Sequence, residues 1–258
     1  MNEAAPGNDT LPASGTRPVL RARGIVKNFS MPGETLQILR GVDLDVSHGE
    51  ILAILGESGV GKSTLLHILG TLDRPTSGTL YYGEQDVFRL SGSQLARFRN
   101  RHVGFVFQFH HLLPEFSALE NVEMPGRISG ADPKATRARA EELLEVVGLS
   151  DRARHRPHEM SGGEQQRVAV ARALIQDPEV VLADEPSGNL DPDTAERLHE
   201  LVYTLARDRG QSWIIATHNE NLARVADNRR RLLAGRLVEE RTISEPIVGR
   251  TAGGRESP

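Results

Sequence analysis

One stretch limits the fold more than any other: residues 51–64 read ILAILGESGVGKST. An apolar run bounded by a glycine describes a strand of a parallel sheet covered on both faces. Gly56, Glu57, Ser58, Gly59, Val60, Gly61, Lys62, Ser63 and Thr64 follow, and then an apolar, helix-like LLHILGTL. Strand, glycine loop and helix in that order turn the bare GxxxxGK[ST] spacing into a triphosphate site. Glycines let backbone N–H groups converge on anionic oxygens, and the helix start adds partial positive charge. Lys62 is placed to reach the β and γ phosphates, and the Ser63 hydroxyl to ligate Mg²⁺. The alternative, a glycine-rich turn feeding an ordinary helix, is weaker because both flanking elements are in place.

The rest of the chain agrees with a parallel-sheet α/β core. The run 180–183 is continuously apolar and bounded by breakers, and Ser212–Thr217 (SWIIAT) is a third core strand running into polar residues. Val42, Asp43, Leu44, Asp45 and Val46 alternate strictly, which predicts an antiparallel element with one buried face, turned by residues 47–49. From Lys134, KATRARAEELLEVVG places Ala140, Leu143, Leu144 and Val147 on one stripe and stops at Gly148. Asp191 and Pro192 open another helix, with Leu198, Leu201, Val202 and Leu205 as its stripe up to Gly210.

Composition excludes several classes. The 258 residues are 38% hydrophobic, enough for a sizeable core, and the net charge of −4 carries no basic signature for wholesale nucleic-acid binding. No cysteine is present, so disulfides and cysteine-based metal or nucleophile chemistry are out, in keeping with a reducing cytosol. No apolar segment is long enough to span a bilayer, and MNEAAPGNDTLPASGTRP does not read as a secretory signal. Work at a membrane would need other chains to span it. Residues 1–18 and 243–258 are expected to be flexible tails around a single domain over 19–242.

A second acidic site completes the first. Asp184 and Glu185 end the apolar run at 180–183, so Asp184 is expected to hold Mg²⁺ and Glu185 to polarise a water in line with the γ-phosphate. Beside the glycine loop, these two acids predict a nucleotide triphosphatase.

Met160 to Arg167, read as MSGGEQQR, with the helix-like VAVARALIQDP after it, resembles the signature of ATP-binding cassette (ABC) ATPases. Gln108 stands where that family has its Q-loop glutamine, Ser187 to Asp191 (SGNLD) where it has its D-loop, and His218 where it has its switch histidine. The resemblance covers roughly residues 20–240. It implies an α/β P-loop NTPase fold: a parallel-sheet core, an antiparallel β subdomain and an α-helical signature subdomain over about 109–175. It also implies that Gln108 touches Mg²⁺ and the attacking water, that His218 contacts the γ-phosphate, and that Phe29 stacks on adenine. Phe29 departs from the family's usual tyrosine, Met160 from its leucine and Val60 from a common serine. No Asn-Lys-x-Asp motif supports a GTPase. Ser161, Gly162, Gly163 and Glu164 would close on ATP held by a second copy in a head-to-tail dimer.

The stretch FVFQFHHLLPEF, residues 105–116, belongs to the same resemblance. Adjacent histidines without a nearby acid cluster make a poor metal shell, and a buried loop is the plainer alternative. In the family, the segment after the Q-loop glutamine helps form a groove for a short helix of a membrane subunit. Phe109, His110, His111, Leu112, Leu113 and Phe116 are therefore the docking candidates. HHLLPEFSALENVEMP and SGVGKSTLLHILGTLDRPTSG are similar to the ATPases of bacterial lipoprotein-releasing systems (LolD-type). These work at the cytoplasmic face of the inner membrane with two transmembrane permease subunits, and touch the membrane only through them. Macrolide-export (MacB-type) and cell-division (FtsE-type) ATPases share much of the pattern. A soluble ABC ATPase of DNA repair or translation is the rival from another class, but it needs coiled-coil insertions or a second cassette. The Arg229, Arg230 and Arg231 run reads as a solvated edge hairpin rather than a nucleic-acid patch.

Overall fold

The computed structural model describes residues 18–224 and 226–240. The two expected tails lie outside the described residues, apart from Pro18. Two sheets organise the rest. The first is antiparallel, in the order β2 (Glu34–Val46), β1 (Leu20–Met31), β4 (Ser77–Tyr82), β5 (Gln85–Asp86). The alternation at 42–46 works as expected: Val42, Leu44 and Val46 are buried while the two aspartates face solvent. The second sheet runs β10 (Arg236–Glu239), β9 (Asn228–Leu233), β3 (Ile51–Leu55), β8 (Ser212–Thr217), β7 (Val180–Asp184), β6 (Val103–Phe107). All its pairs are parallel except β9 with β10.

The central strands carry continuous apolar runs, with Asp184, Ser212 and Thr217 only at strand ends, because each face meets a different core. Val180 and Leu182 of β7 and Ile214 and Ala216 of β8 pack with α1 (Lys62–Leu69) and the antiparallel sheet. Val181, Ala183, Trp213 and Ile215 point the other way, into a core shared with the helices. Each fully buried Leu or Ile side chain there contributes about 1.5–3 kcal/mol.

Between β6 and β7 the described chain is helical: α3 (Ala118–Ser129), α4 (Pro133–Val146) and α5 (Gly162–Leu174). The predicted stripe of Ala140, Leu143, Leu144 and Val147 is buried, and Gly148 follows at φ 70°. Gly104 lets β6 approach α5, since a Cβ there would stand 2.5 Å from the Ala173 carbonyl oxygen. The helix α6 (Pro192–Arg209) starts on the Asp191 cap, which accepts from the Thr194 N–H at 3.0 Å, and ends at Gly210 in the left-handed conformation. Arg230 and Arg231 lie in the expected hairpin, paired to Glu239 and to Glu220 and Glu240. The strands β1, β4 and β5 complete the antiparallel β subdomain that the resemblance implies, although no residue pattern locates them, and the polar helix α2 (Gly92–His102) is an addition to the expected elements.

Candidate active site

The ends of β3, β7 and β8 carry the functional side chains to one edge of the parallel sheet, the usual place for a ligand in such folds. After β3 the chain turns through the glycine loop. Gly61 has φ 110°, and a Cβ on it would lie 2.7 Å from Ile38 Cγ2, so a side chain there is excluded twice over. The helix α1 begins with no side-chain cap and no acid in its first turn. Its N–H groups and dipole are therefore left for an anion. Lys62 is buried and donates to the carbonyl oxygens of Gly56 (2.7 Å) and Glu57 (3.1 Å), which folds its ammonium over the loop. A cavity of about 270 Å³ holds Ser58, Gly59, Gly61, Lys62, Ser63 and Thr64 together with Phe29, Gln108, Asp184 and Glu185.

Asp184 ends β7 with its Oδ1 buried and without a hydrogen-bond partner. Burial pushes its pKa up, the Ser63 hydroxyl bond opposes this, and the neighbouring Glu185 raises it further. An orphaned carboxylate oxygen beside a hydroxyl and a carboxamide fits a divalent cation, which prefers oxygen donors and would relieve that burial. Ser63, Asp184 and Gln108 are the donors that the cavity supplies.

Glu185 sits at φ 44°, a left-handed backbone that costs a residue with a Cβ about 1 kcal/mol or more. Its surroundings hold it there. The Glu185 N–H donates to Ala216 O at 2.8 Å, and the Thr217 hydroxyl donates to Oε2 at 2.9 Å. His218 Nδ1 lies 2.8 Å from Oε1, and Lys62 Nζ lies 3.5 Å from the same oxygen. The Gln108 amide donates to Asn189 Oδ1 at 3.0 Å, and Asn189 returns a bond to Gln108 O at 3.1 Å. Thr217 and Asn189 escaped sequence reasoning. Thr217 reads there only as the end of an apolar strand, and Asn189 as a turn residue.

Phe29 lies on β1 but is 43% exposed and not a core residue. Lys27 Nζ lies 5.1 Å from its ring centre while paired to Asp73 at 2.7 Å. The segment Ser161, Gly162, Gly163 and Glu164 starts α5 with a capping box: the Ser161 hydroxyl accepts from the Glu164 N–H, and the Glu164 carboxylate accepts from the Ser161 N–H at 2.8 Å. Those bonds, together with Arg152, hold the Glu164 pKa below the usual glutamate range. Ser161, Gly163 and Glu164 line a separate cavity of about 540 Å³, which shares no residue with the phosphate-loop cavity. Ser187 is buried and bonded to His199, whereas Asp191 is exposed at the α6 cap.

The segment after Gln108 is neither a buried loop nor uniformly exposed. Phe109, Leu113 and Phe116 are exposed. Leu112 is half-buried against the helical core, and His110 turns onto the buried Gln166, so these two docking candidates anchor the loop; a surface loop of this length needs such inward contacts to keep one shape. Asn121 of α3, fully buried, accepts from the Leu113 N–H and donates to the carbonyls of Leu113, Phe116 and Ser117. Arg172 of α5 donates to the carbonyls of His110 and His111, both at 2.7 Å. His111 also lines an apolar groove of about 500 Å³ with Leu72, Phe105, Phe107, Pro125 and Ile128.

Residues 39–188 match the ABC transporter family model. The lipoprotein-releasing system ATP-binding protein LolD of Geobacter metallireducens is 52% identical over 222 residues, which is 86% of this chain and 99% of that protein. The protein of the same name from Myxococcus xanthus is 51% identical over 221 residues, again 86% and 99% of the two chains. Among solved structures, a dimeric ATP-binding cassette in a post-hydrolysis state bound to ADP and Pi has a TM-score of 0.78 and 37% identity, covering 84% of this chain and 96% of that one. No described helix is long and apolar enough to cross a membrane.

Proposed function

The chain belongs to the ABC transporter family as an ATP-binding, ATP-hydrolysing subunit, and on that premise we propose that it drives a bacterial lipoprotein-releasing complex. The observation that carries the proposal is the half identity to lipoprotein-releasing ATP-binding proteins over almost their whole length. The complex would take lipid-anchored proteins from the inner membrane toward the outer membrane. This subunit would sit at the cytoplasmic face, beneath two transmembrane permease subunits.

The chemistry follows from the strand-end geometry. The triphosphate lies along the glycine loop, with backbone N–H groups on its oxygens and Phe29 under the base. Lys62 exchanges the carbonyls of Gly56 and Glu57 for the β and γ oxygens, a better match for an ammonium. Ser63, Asp184 and Gln108 would hold Mg²⁺, which supplies charge neutralisation to the phosphates when bound. Glu185, held by Thr217 and His218, accepts the proton of the attacking water at its carboxylate. His218, exposed on its outer side, turns toward the γ-phosphate.

One copy is incomplete, because its signature residues lie in a cavity apart from its phosphate loop. A second copy supplies Ser161, Gly162, Gly163 and Glu164 across the nucleotide, with Ser187 and Asp191 in the turn between the two sites. The solved cassette with 37% identity is itself a dimer. Residues 109–116 and the groove beside His111 would receive a helix of the permease. Gln108 joins the two regions, with its side chain in the nucleotide cavity and its backbone leading into the docking segment.

The test is recovery of the Glu185→Gln variant from its native membranes with ATP present. Two lipoprotein-releasing membrane subunits should co-purify. A single macrolide-type export permease, a division protein or only soluble partners would overturn the assignment while leaving the ATPase intact.

A further inference from the structure

The helix α6 carries one buried titratable group that the mechanism above does not use. His199 is 4% exposed, and its Nε2 lies 2.8 Å from the hydroxyl of Ser187. Ser187 stands two residues beyond Glu185, in a turn closed by the Gly188 N–H donating to the Glu185 carbonyl at 3.0 Å. Glu185, Ser187, His199 and His218 line a common cavity of about 270 Å³. Elsewhere the stripe of α6 is aliphatic, as Leu198, Val202 and Leu205 show. A polar ring at 199 is a departure that packing alone does not require.

We propose that His199 is a positioning residue for Glu185: from a rigid helix it fixes the Ser187 hydroxyl, and with it the turn that keeps Glu185 in its left-handed conformation. This rests on the reading of Glu185 as the group that polarises the attacking water. The strained φ of 44° is stable only if the residues on both sides are held. On the strand side, Ala216, Thr217 and His218 do this. On the other side, Ser187 is the first side chain after Pro186 that can be gripped, and His199 grips it. The helix that presents His199 is itself fixed: Asp191 caps it, and Thr194 packs on Gly163 so closely that a Cβ there would lie 2.3 Å from Thr194 Cγ2. A ring mounted on such a helix holds its partner more closely than a loop residue would.

The ring is neutral, since burial lowers its pKa. Its Nδ1 faces the Glu196 carboxylate at 3.7 Å, which favours the proton on that nitrogen. Nε2 is then the acceptor, and the Ser187 hydroxyl donates to it. A glutamine amide at 199 can supply a polar atom near the position of Nε2, whereas leucine fills the space without one.

Steady-state ATP turnover of the full-length chain tests the assignment. His199→Leu should lower kcat roughly tenfold, as expected for losing one buried hydrogen bond at the catalytic turn, with KM for ATP held within about twofold. His199→Gln should recover kcat to within about threefold of the natural protein. Ser187→Ala, which removes a single oxygen, should match His199→Leu, and the double variant should be no slower than the slower single one. These last two measurements keep the test open if His199→Leu does not fold. An unchanged kcat in Ser187→Ala or His199→Leu would overturn the proposal, and so would a His199→Gln variant as slow as His199→Leu, which would assign the histidine to packing. Glu185→Gln serves as the control. If it turns over at the natural rate, the reading of Glu185 fails as well; if it is inactive while His199→Leu is fast, only the role of His199 fails.

Discussion

The phosphate-binding edge and the 109–116 segment lie at the two ends of Gln108, and they are built in opposite ways. At the first, buried apolar strands stop and glycine geometry shapes the loop, with Thr217 and His218 fixing Glu185 at the strand ends. The second lies in no strand or helix of its own. Three polar side chains from elsewhere, Asn121, Gln166 and Arg172, hold its carbonyls and N–H groups or its His110 side chain. The first region is preorganised by the sheet and can stabilise a developing charge without rearranging. The second is held by hydrogen bonds that can be exchanged, which suits the permease-docking role proposed for it.

The largest effects should come from the strand-end side. Lys62→Ala and Glu185→Gln should each lower ATP turnover by about 10²–10³-fold, read by steady-state phosphate release. Only Glu185→Gln should keep ATP and form a stable pair of copies in light scattering. Next is the clamp of the 109–116 segment. Asn121→Ala removes four hydrogen bonds that fix the loop, and the Leu113 and Ser117 carbonyls keep only the bonds from the Phe116 and Asn121 N–H groups. It should cost about 3 kcal/mol in denaturant unfolding. It should also lower recovery of the membrane complex by a larger factor than it lowers turnover. A larger loss of turnover would break the division between the two regions.

Smaller effects sharpen it. Phe29→Ala should raise KM for ATP about fivefold at constant kcat, the scale of one aromatic stacking contact. The smallest prediction concerns pH. The Ser161 N–H bond holds the Glu164 pKa below its ordinary value of 4.5. The unfolded chain therefore takes up that proton first as pH falls, so the capping carboxylate stabilises the fold above pH 4.5 and loses this effect as pH drops through the folded value. Glu164→Gln should be less stable by about 0.5–1 kcal/mol at neutral pH, with the gap closing in acid. Chemical unfolding at a series of pH values reads it.

The same contrast decides what the sequence makes legible. The strands β3, β7 and β8 are visible because both faces are covered and a continuous apolar run fills each, with polar residues only at the ends of β7 and β8. The helix α6 is visible because Asp191, Pro192 and Gly210 mark its ends. The strand β1 is not, because its register with β2 shifts between Ala22 and Ile25 and again at Val26 and Asn28, which destroys any alternation. The helix α2 buries only Leu95 and so has no stripe to detect. At the site, the glycine loop and Asp184–Glu185 are contiguous in sequence and are read directly. Asn121 and His199 are not: each is one polar letter within an otherwise ordinary helix, and its meaning depends on a loop that only the folded chain brings to it. The Glu-Asn-Val at 120–122 carries the signal for Asn121, but only through resemblance.

The most direct measurement is ATP-dependent release of a lipid-anchored protein from proteoliposomes that contain this subunit with its co-purified membrane partners. The natural complex should transfer the lipoprotein to a soluble acceptor only while ATP is hydrolysed, and the Glu185→Gln complex should bind ATP and release none. Hydrolysis at the natural rate without release, or release by the Glu185→Gln complex, would contradict the account.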